Sequence, residues 1–269
     1  MDSVNTTAFH EEVWQKAREL YRDMPWRDNT DPYYVLVSEL MLQQTQVDRV
    51  IPKFELFIST FPTLHDLATA TLSEVLVLWS GLGYNRRAKY LHETAKRVVT
   101  DFNGTLPDAY DALVSLPGIG PNTAGAILAY SFNQPVVFIE TNVRTVYFHH
   151  FFEDQALVTD KELREVVEKT VDTEHPREWY WGLMDYGSYL KKQGAGRIGK
   201  SSHYKKQAPL KGSVREIRGL ILKALAKKDY VEEQLRLELP QDERFHASVK
   251  ALIKEGFIKK TGDLLHLTR

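Results

Sequence analysis

The chain has 269 residues and no cysteine, and 35 Lys+Arg against 36 Asp+Glu give a formal net charge of -1. With 43% hydrophobic and 26% charged residues it has ordinary globular composition, neither disordered nor fibrous, and its length suits one large domain or two smaller ones. The missing thiols exclude disulfides, cysteine nucleophiles and thiolate-held zinc or iron-sulfur clusters, while the polar N-terminus and the lack of any apolar run of about 18 residues speak against a signal peptide or membrane span.

In chain order, the first helical pattern starts near His10 and places Val13, Ala17 and Leu20 at helical spacing, before Met24-Pro25-Trp26-Arg27 breaks it. Asp31-Pro32 opens a second helix, predicted from Tyr33 to Val47, in which Ser38, Glu39, Gln43 and Gln44 interrupt apolar residues. Further helices are predicted over 48–61, 64–70, 72–79, 86–102 and 109–115. LPGIGP, residues 116–121, is a Gly/Pro turn leading into a helix over 122–132. Pro135 to Ile139 is a short apolar run and a strand candidate, and helices resume over 142–152, 161–171 and 179–190. Residues 213–269 read differently: two amphipathic segments flank a short one, and FIKKTGDLLHLT places Gly262-Asp263 between alternating arms as a hairpin. Three helices and a hairpin are the content of a winged helix, a module that enters a DNA groove with its third helix or docks other proteins. Here that helix carries Arg244, His246, Lys250 and Lys254, with Lys259 and Lys260 in the wing.

The near-neutral total conceals a polarity. The first 185 residues carry 16 basic and 27 acidic residues, 186–212 carry seven basic and none acidic, and 213–269 carry 12 and nine. The middle stretch reads as a linker suited to a polyanion or as a plain solvated connector. LPGIGP is the sharpest local feature: two glycines followed by a helix start expose successive backbone N–H groups able to hold a DNA phosphate without reading sequence, or they form a tight turn only.

PWR, SELMLQQTQV, GLGYNRRA, LPGIGPNTAGAI and MDYG, in this order and spacing, resemble the helix-hairpin-helix DNA glycosylases, and within them the MutY-type adenine glycosylases. The resemblance runs from about Trp14 to Leu190. It implies an all-α fold of two helical subdomains, one a six-helix barrel carrying the hairpin, with a cleft for bent DNA and a flipped base. The small winged-helix (α+β) domain would follow it. The corresponding domains are 1–190 for the glycosylase, 191–212 for the basic linker and 213–269 for the winged-helix-like part. The implied partner is double-stranded DNA containing a mismatch or oxidised base, met by a monomer that is intracellular, cytoplasmic or nucleoid-associated.

Cleaving an N-glycosidic bond requires protonation of the departing purine and stabilisation of a cationic sugar, work that two carboxylates can share. Glu39 matches the family glutamate that protonates adenine at N7 and assists water; taken alone it is a buried carboxylate satisfied by nearby donors. Glu140 stands where the family has aspartate, one methylene longer, and is either the second catalytic carboxylate or a cap for the following helix. Family members that also cut the strand place a Schiff-base lysine at the position occupied here by Asn122, so a monofunctional enzyme is expected. Asn122 then faces the base pocket or serves as a helix cap. Trp26 and Arg27 match pocket-lining residues and Asp185 an acceptor for the adenine amine; core, ion-pair and surface roles are their alternatives.

Gln44 and Tyr84 match residues that invade the duplex stack, and Gln43 is a further DNA-binding candidate or a solvated helix residue. Arg86 and Arg87, the hairpin residues Gly118, Ile119, Gly120 and Thr123, the linker residues Lys191, Lys192, Arg197, Lys200, Lys205 and Lys206, and Lys250 are the remaining expected DNA contacts. The family's four cluster cysteines are missing, so no cofactor is expected; the resemblance admits a monovalent cation at the hairpin carbonyls. The large domain that reads 8-oxoguanine in the family is replaced by the presumed winged helix. Removal of adenine opposite 8-oxoguanine or guanine is therefore the first reading. Removal of thymine or uracil opposite guanine on the same scaffold is the second, and non-catalytic DNA binding is the third.

Overall fold

The computed structural model describes residues 6–201, 209–240 and 243–268. Fifteen α-helices and three strands are present among them: α1 Thr6–Glu19, α2 Pro25–Asp28, α3 Pro32–Leu42, α4 Val47–Thr60, α5 Leu64–Thr69, α6 Leu72–Trp79, α7 Arg86–Asp101 and α8 Tyr110–Val114. They continue with α9 Pro121–Phe132, α10 Thr141–His150, α11 Asp160–Thr170, α12 Pro176–Lys192, α13 Val214–Leu225, β1 Tyr230–Val231, α14 Glu232–Glu238, α15 Phe245–Lys254, β2 Ile258–Thr261 and β3 Leu264–Leu267. No helix among the described residues is long and apolar enough to cross a membrane.

Local sequence sets the helix starts. Thr63, Thr71 and Thr159 form capping boxes with Asp66, Glu74 and Glu162, satisfying orphan N–H groups reciprocally. Prolines occupy first-turn positions of α2, α9 and α12, where no backbone donor is required.

The packing divides the described residues into two compact units. The first comprises residues 6–35, Pro107–Ser115 and 119–201. In it α12 packs against α1, α9 and α10 around Phe9, Val13, Phe138, Tyr147, Trp179 and Tyr180. The close approach of α10 to α12 depends on Gly187, where an added Cβ would lie 2.3 Å from the Asn142 carbonyl oxygen. The second unit comprises Leu36–Leu106, Leu116–Gly118 and 209–268. There α7 packs on α5 and α6, with Phe54, Phe57, Trp79, Leu91 and Val98 in the core.

The C-terminal segment has three helices and a hairpin in the predicted order. β2 and β3 pair antiparallel with Thr261 opposite Leu264, so Gly262-Asp263 is a two-residue loop, and Gly262 has φ +60°. A strand the sequence did not suggest, β1, pairs with β3 on its other side to give the order β1-β3-β2.

Two predicted elements are corrected. The helix expected from Tyr33 to Val47 ends at Leu42, and Gln44 turns left-handed with φ +57° before α4 starts at Val47. The carbonyls that would have continued it, on Leu40, Met41 and Gln43, are taken by the Arg87 guanidinium at 2.6–2.9 Å. The strand candidate Pro135–Ile139 has no ladder partner among the described residues. Side chains replace one: the Tyr180 hydroxyl donates to the Val136 carbonyl at 2.9 Å and accepts from the Phe138 N–H at 3.3 Å, and Asn122 bonds both backbone groups of Ile139.

Candidate active site and nucleic-acid interface

Glu39 lies on α3, in the second unit. From Val35 to Met41 every residue is buried except Glu39, which is half-buried, so the helix delivers one carboxyl through a stretch whose only other polar side chain is Ser38. Glu140, in the first unit, immediately precedes α10. It occupies the N-cap position with φ −90° and ψ 173°, but its side chain makes no capping bond. The cap alternative is thus realised in position only.

Burial alone pushes the Glu140 carboxyl above the ordinary carboxylate range. A carboxylate half withdrawn from water is a less favourable anion until a cation forms beside it, a property that suits favouring an oxocarbenium ion over its neutral precursor. Because the folded-state pKa lies above the unfolded value of about 4.3, the fold is favoured at low pH and this contribution disappears as pH rises through the folded pKa. Glu140→Gln is expected to raise the urea midpoint at about pH 8 and to leave it near wild type at about pH 4. A wild-type midpoint at both values would refute the raised pKa.

Asn122 neither caps α9, whose N-cap is Gly120, nor keeps its amide free for a base. Its Nδ2 donates to the Ile139 carbonyl at 3.0 Å and its Oδ1 accepts from the Ile139 N–H at 3.4 Å. The position where strand-cutting relatives are expected to carry lysine thus fixes the backbone next to Glu140. Asn122→Ala is expected to lower single-turnover base release about tenfold with little change in duplex affinity, because loosened positioning acts on the rate. An unchanged rate would remove Asn122 from the positioning of Glu140.

Asp185 and Arg27 are brought together, but not as an open acceptor and a wall. Asp185 Oδ2 accepts from Arg27 Nη1 at 2.7 Å and from the Arg22 N–H at 3.2 Å, while Oδ1 accepts from Arg22 Nε at 2.6 Å and Arg27 Nη2 at 3.0 Å. These four donors fill the positions an adenine amine would need, so Asp185 acts as an internal anchor for the PWR turn. Trp26 beside it is buried. Arg22, which sequence reasoning missed, is the third member. Its spacing of five residues from Arg27 gives no helical signal, because the turn at Met24 lies between them.

Arg87 also departs from expectation. Its fork is internal: beyond the carbonyls of Leu40, Met41 and Gln43 it reaches Thr45 Oγ1 at 3.2 Å and the carbonyls of Leu82 and Gly83 at 3.2 and 3.0 Å. Burial lowers its pKa to about 10, and it pins the segment bearing Gln43 and Gln44 to the turn bearing Tyr84 rather than meeting a phosphate. Arg86 remains exposed and pairs with Glu255 at 3.1 Å. The two expected wedge residues share one backbone property: Gln44, which is exposed, has φ +57°, and Tyr84, half-exposed, has φ +48°. Left-handed backbone at non-glycine residues is uncommon and costs of order 1–3 kcal/mol, as at sites where a side chain must be aimed.

The hairpin keeps its donors available. Among the described residues the N–H groups of Gly118, Ile119 and Gly120 donate to no protein acceptor. Thr94 Oγ1 donates to the Pro117 carbonyl at 2.8 Å, and Gly118, with φ +74°, lies against Tyr90, where a Cβ would be 2.6 Å from the tyrosine Cβ. Side chains play little part in this turn, since Ile119 and Thr123 are buried and only their backbone can meet a ligand.

In the linker, Lys191 and Lys192 are exposed at the end of α12. Arg197 and Lys200 are not free for a polyanion as expected: Arg197 pairs with the Glu153 carboxylate, and Lys200 Nζ donates to the Phe152 carbonyl at 2.9 Å, stapling this stretch to the end of α10. Lys205 and Lys206 lie outside the described residues. On α15, Lys250 and Lys254 are exposed, whereas His246 and Lys260 share Glu232.

Residues 37–172 match the HhH-GPD superfamily of base excision DNA repair proteins, and the chain belongs to that family. It is 36% identical over 173 residues to an adenine DNA glycosylase of Buchnera aphidicola subsp. Baizongia pistaciae, covering 63% of this chain and 48% of that protein. It is 44% identical over 127 residues to the adenine DNA glycosylase of Mycobacterium tuberculosis, covering 47% and 42%. The chain therefore spans about half the length of such relatives. Among solved structures, a thermostable thymine-DNA glycosylase superposes with a TM-score of 0.62 at 27% identity, covering 68% of this chain and 86% of that one.

Proposed function

We propose that this protein is a monofunctional DNA glycosylase that removes adenine mispaired with guanine or 8-oxoguanine. The observation that carries the reading is the presence of two half-buried carboxyl groups: Glu39, the one half-buried residue on a buried helical stretch, and Glu140, at the start of α10 without a capping bond and with its carboxyl pushed above the ordinary range by desolvation. The relatives named adenine DNA glycosylases support the choice of base.

In the proposed reaction the adenine is flipped from the stack, since its glycosidic bond is inaccessible in duplex DNA. The Glu39 carboxyl gives its proton to N7 and the C1′–N9 bond breaks with its electron pair leaving on adenine. The Glu140 carboxylate stabilises the cationic sugar, and the Glu39 carboxylate accepts a proton as water adds to C1′. The hairpin N–H groups hold a phosphate without reading bases, and Gln44 and Tyr84 occupy the space left in the stack. No amine stands at position 122, so the product is an abasic site on an uncut strand. The C-terminal helices and hairpin serve as a winged helix whose exposed Lys250, Lys254 and Lys259 add sequence-independent contacts. Such an enzyme acts as a monomer without a cofactor.

The thymine-DNA glycosylase likeness favours one second reading, release of thymine or uracil opposite guanine on the same scaffold. Duplexes carrying A:8-oxoG, A:G, A:C, T:G, U:G and normal pairs, developed with alkali after incubation, separate the two. Cleavage confined to the adenine mispairs is expected; cleavage at T:G or U:G alone would transfer the assignment.

A further inference from the structure

The C-terminal segment reaches the Tyr84 turn through charge. Arg218 binds the Glu255 carboxylate with both arms at 2.9 and 2.8 Å, and Arg86, on the first turn of α7, shares that carboxylate at 3.1 Å. Lys89, one turn further, donates to the Glu255 carbonyl and lies 5.6 Å from the Phe257 ring centre. These contacts seat α13 and α15 on the helix that begins two residues after Tyr84. One side chain then goes further: Arg215 on α13 donates from Nη1 to the Tyr84 hydroxyl, and its guanidinium lies 5.1 Å from the centre of that ring. The Arg87 guanidinium lies 5.5 Å from the same ring, so two cations attend one phenol on a left-handed backbone between Gly83, at φ +73°, and α7.

We propose that Arg215 is a positioning residue for Tyr84, holding the phenol ready to enter the duplex stack, so that the C-terminal segment takes part in discriminating a mispair from a normal pair. The assignment rests on the proposed reading of Tyr84 as a wedge. A planar cation over a ring combined with a charge-assisted bond to its hydroxyl restricts both rotation and tilt of the side chain, which neither contact achieves alone. Arg87 holds the backbone of the turn and Arg215 holds the side chain, one from each end of the second unit's sequence.

The test uses the full chain and A:G and A:T duplexes with 2-aminopurine beside the base opposite the adenine, whose fluorescence rises when the stack is opened. Wild type is expected to raise the signal on A:G, and Tyr84→Ala to abolish the rise. Arg215→Met is expected to reduce the rise and the A:G over A:T excision ratio about tenfold, with duplex affinity changed less than about threefold. Arg215→Lys, which keeps the charge without the planar fork, recovers only part of each. Tyr84→Phe, which deletes only the accepting oxygen, shifts both readouts in the same direction and adds little to Arg215→Met. It carries the test should Arg215→Met fail to fold. No rise with wild type, wild-type readouts in Arg215→Met, or equal losses on both duplexes would each overturn the assignment. If wild type releases no base but the rise still depends on Arg215, the excision reading fails and this one stands. If base is released and Arg215→Met changes neither readout, the reverse holds.

Discussion

Glu39→Gln is expected to lower the single-turnover rate of base release by about 10²–10⁴ while leaving affinity for the mispaired duplex close to wild type. The amide preserves the shape of the side chain on α3, so neither the buried stretch from Val35 to Met41 nor the bonds from Arg87 to the end of that helix are disturbed. What disappears is a titratable proton for the departing base and an acceptor for the water proton. Because the loss falls on the transition state, it should appear in the rate and not in substrate binding. Quenched-flow measurement with enzyme in excess checks this, and a rate within about threefold of wild type would place the general acid elsewhere.

Asp185→Asn is expected to give the largest loss of stability. Arg27 and Asp185 have side-chain exposures of 2% and 1%, and the carboxylate binds two guanidinium groups and one backbone N–H. Removing the charge leaves the buried Arg27 cation without its counterion, a change that costs about 3–5 kcal/mol when one partner of such a pair is lost. Urea unfolding at constant pH measures it. The result also separates two roles: an anchor lowers the midpoint strongly, whereas an acceptor for the adenine amine would raise KM and leave the midpoint near wild type.

The helices were legible because their signals are local. Apolar spacing lies within a few residues, and α5, α6 and α11 start within one residue of the predicted positions, where threonine caps hold them, whereas α12 starts at Pro176, ahead of the predicted 179. The end of α3 was not legible, because it is set by Arg87, more than forty residues away. The strand candidate at Pro135–Ile139 failed for the same reason: Tyr180 and Asn122 supply the partners a ladder would have supplied, and no pattern in the run announces them.

Among the candidate site residues, motif order singled out Glu39, Glu140 and the hairpin, and the structure leaves both carboxyls half-buried and the hairpin N–H groups without protein acceptors among the described residues. Arg87, Asn122 and Lys200 spend bonds on backbone carbonyls, which loops and helix ends leave without helical partners, while Asp185 and Arg197 spend theirs on side chains of opposite charge. Arg22 and Arg215 acquire their parts only through tertiary packing, so neither carried a sequence signal.

Hydrolytic release of mispaired adenine, with no imine formed to the sugar, is read by chromatography of the free base from an A:G duplex under single-turnover conditions, with a parallel reaction containing borohydride. Free adenine with a strand that breaks only on alkali treatment, and no covalent protein–DNA adduct, is the predicted result. Tight duplex binding without base release, release of a pyrimidine from T:G in place of adenine, or a borohydride-trapped adduct would contradict it.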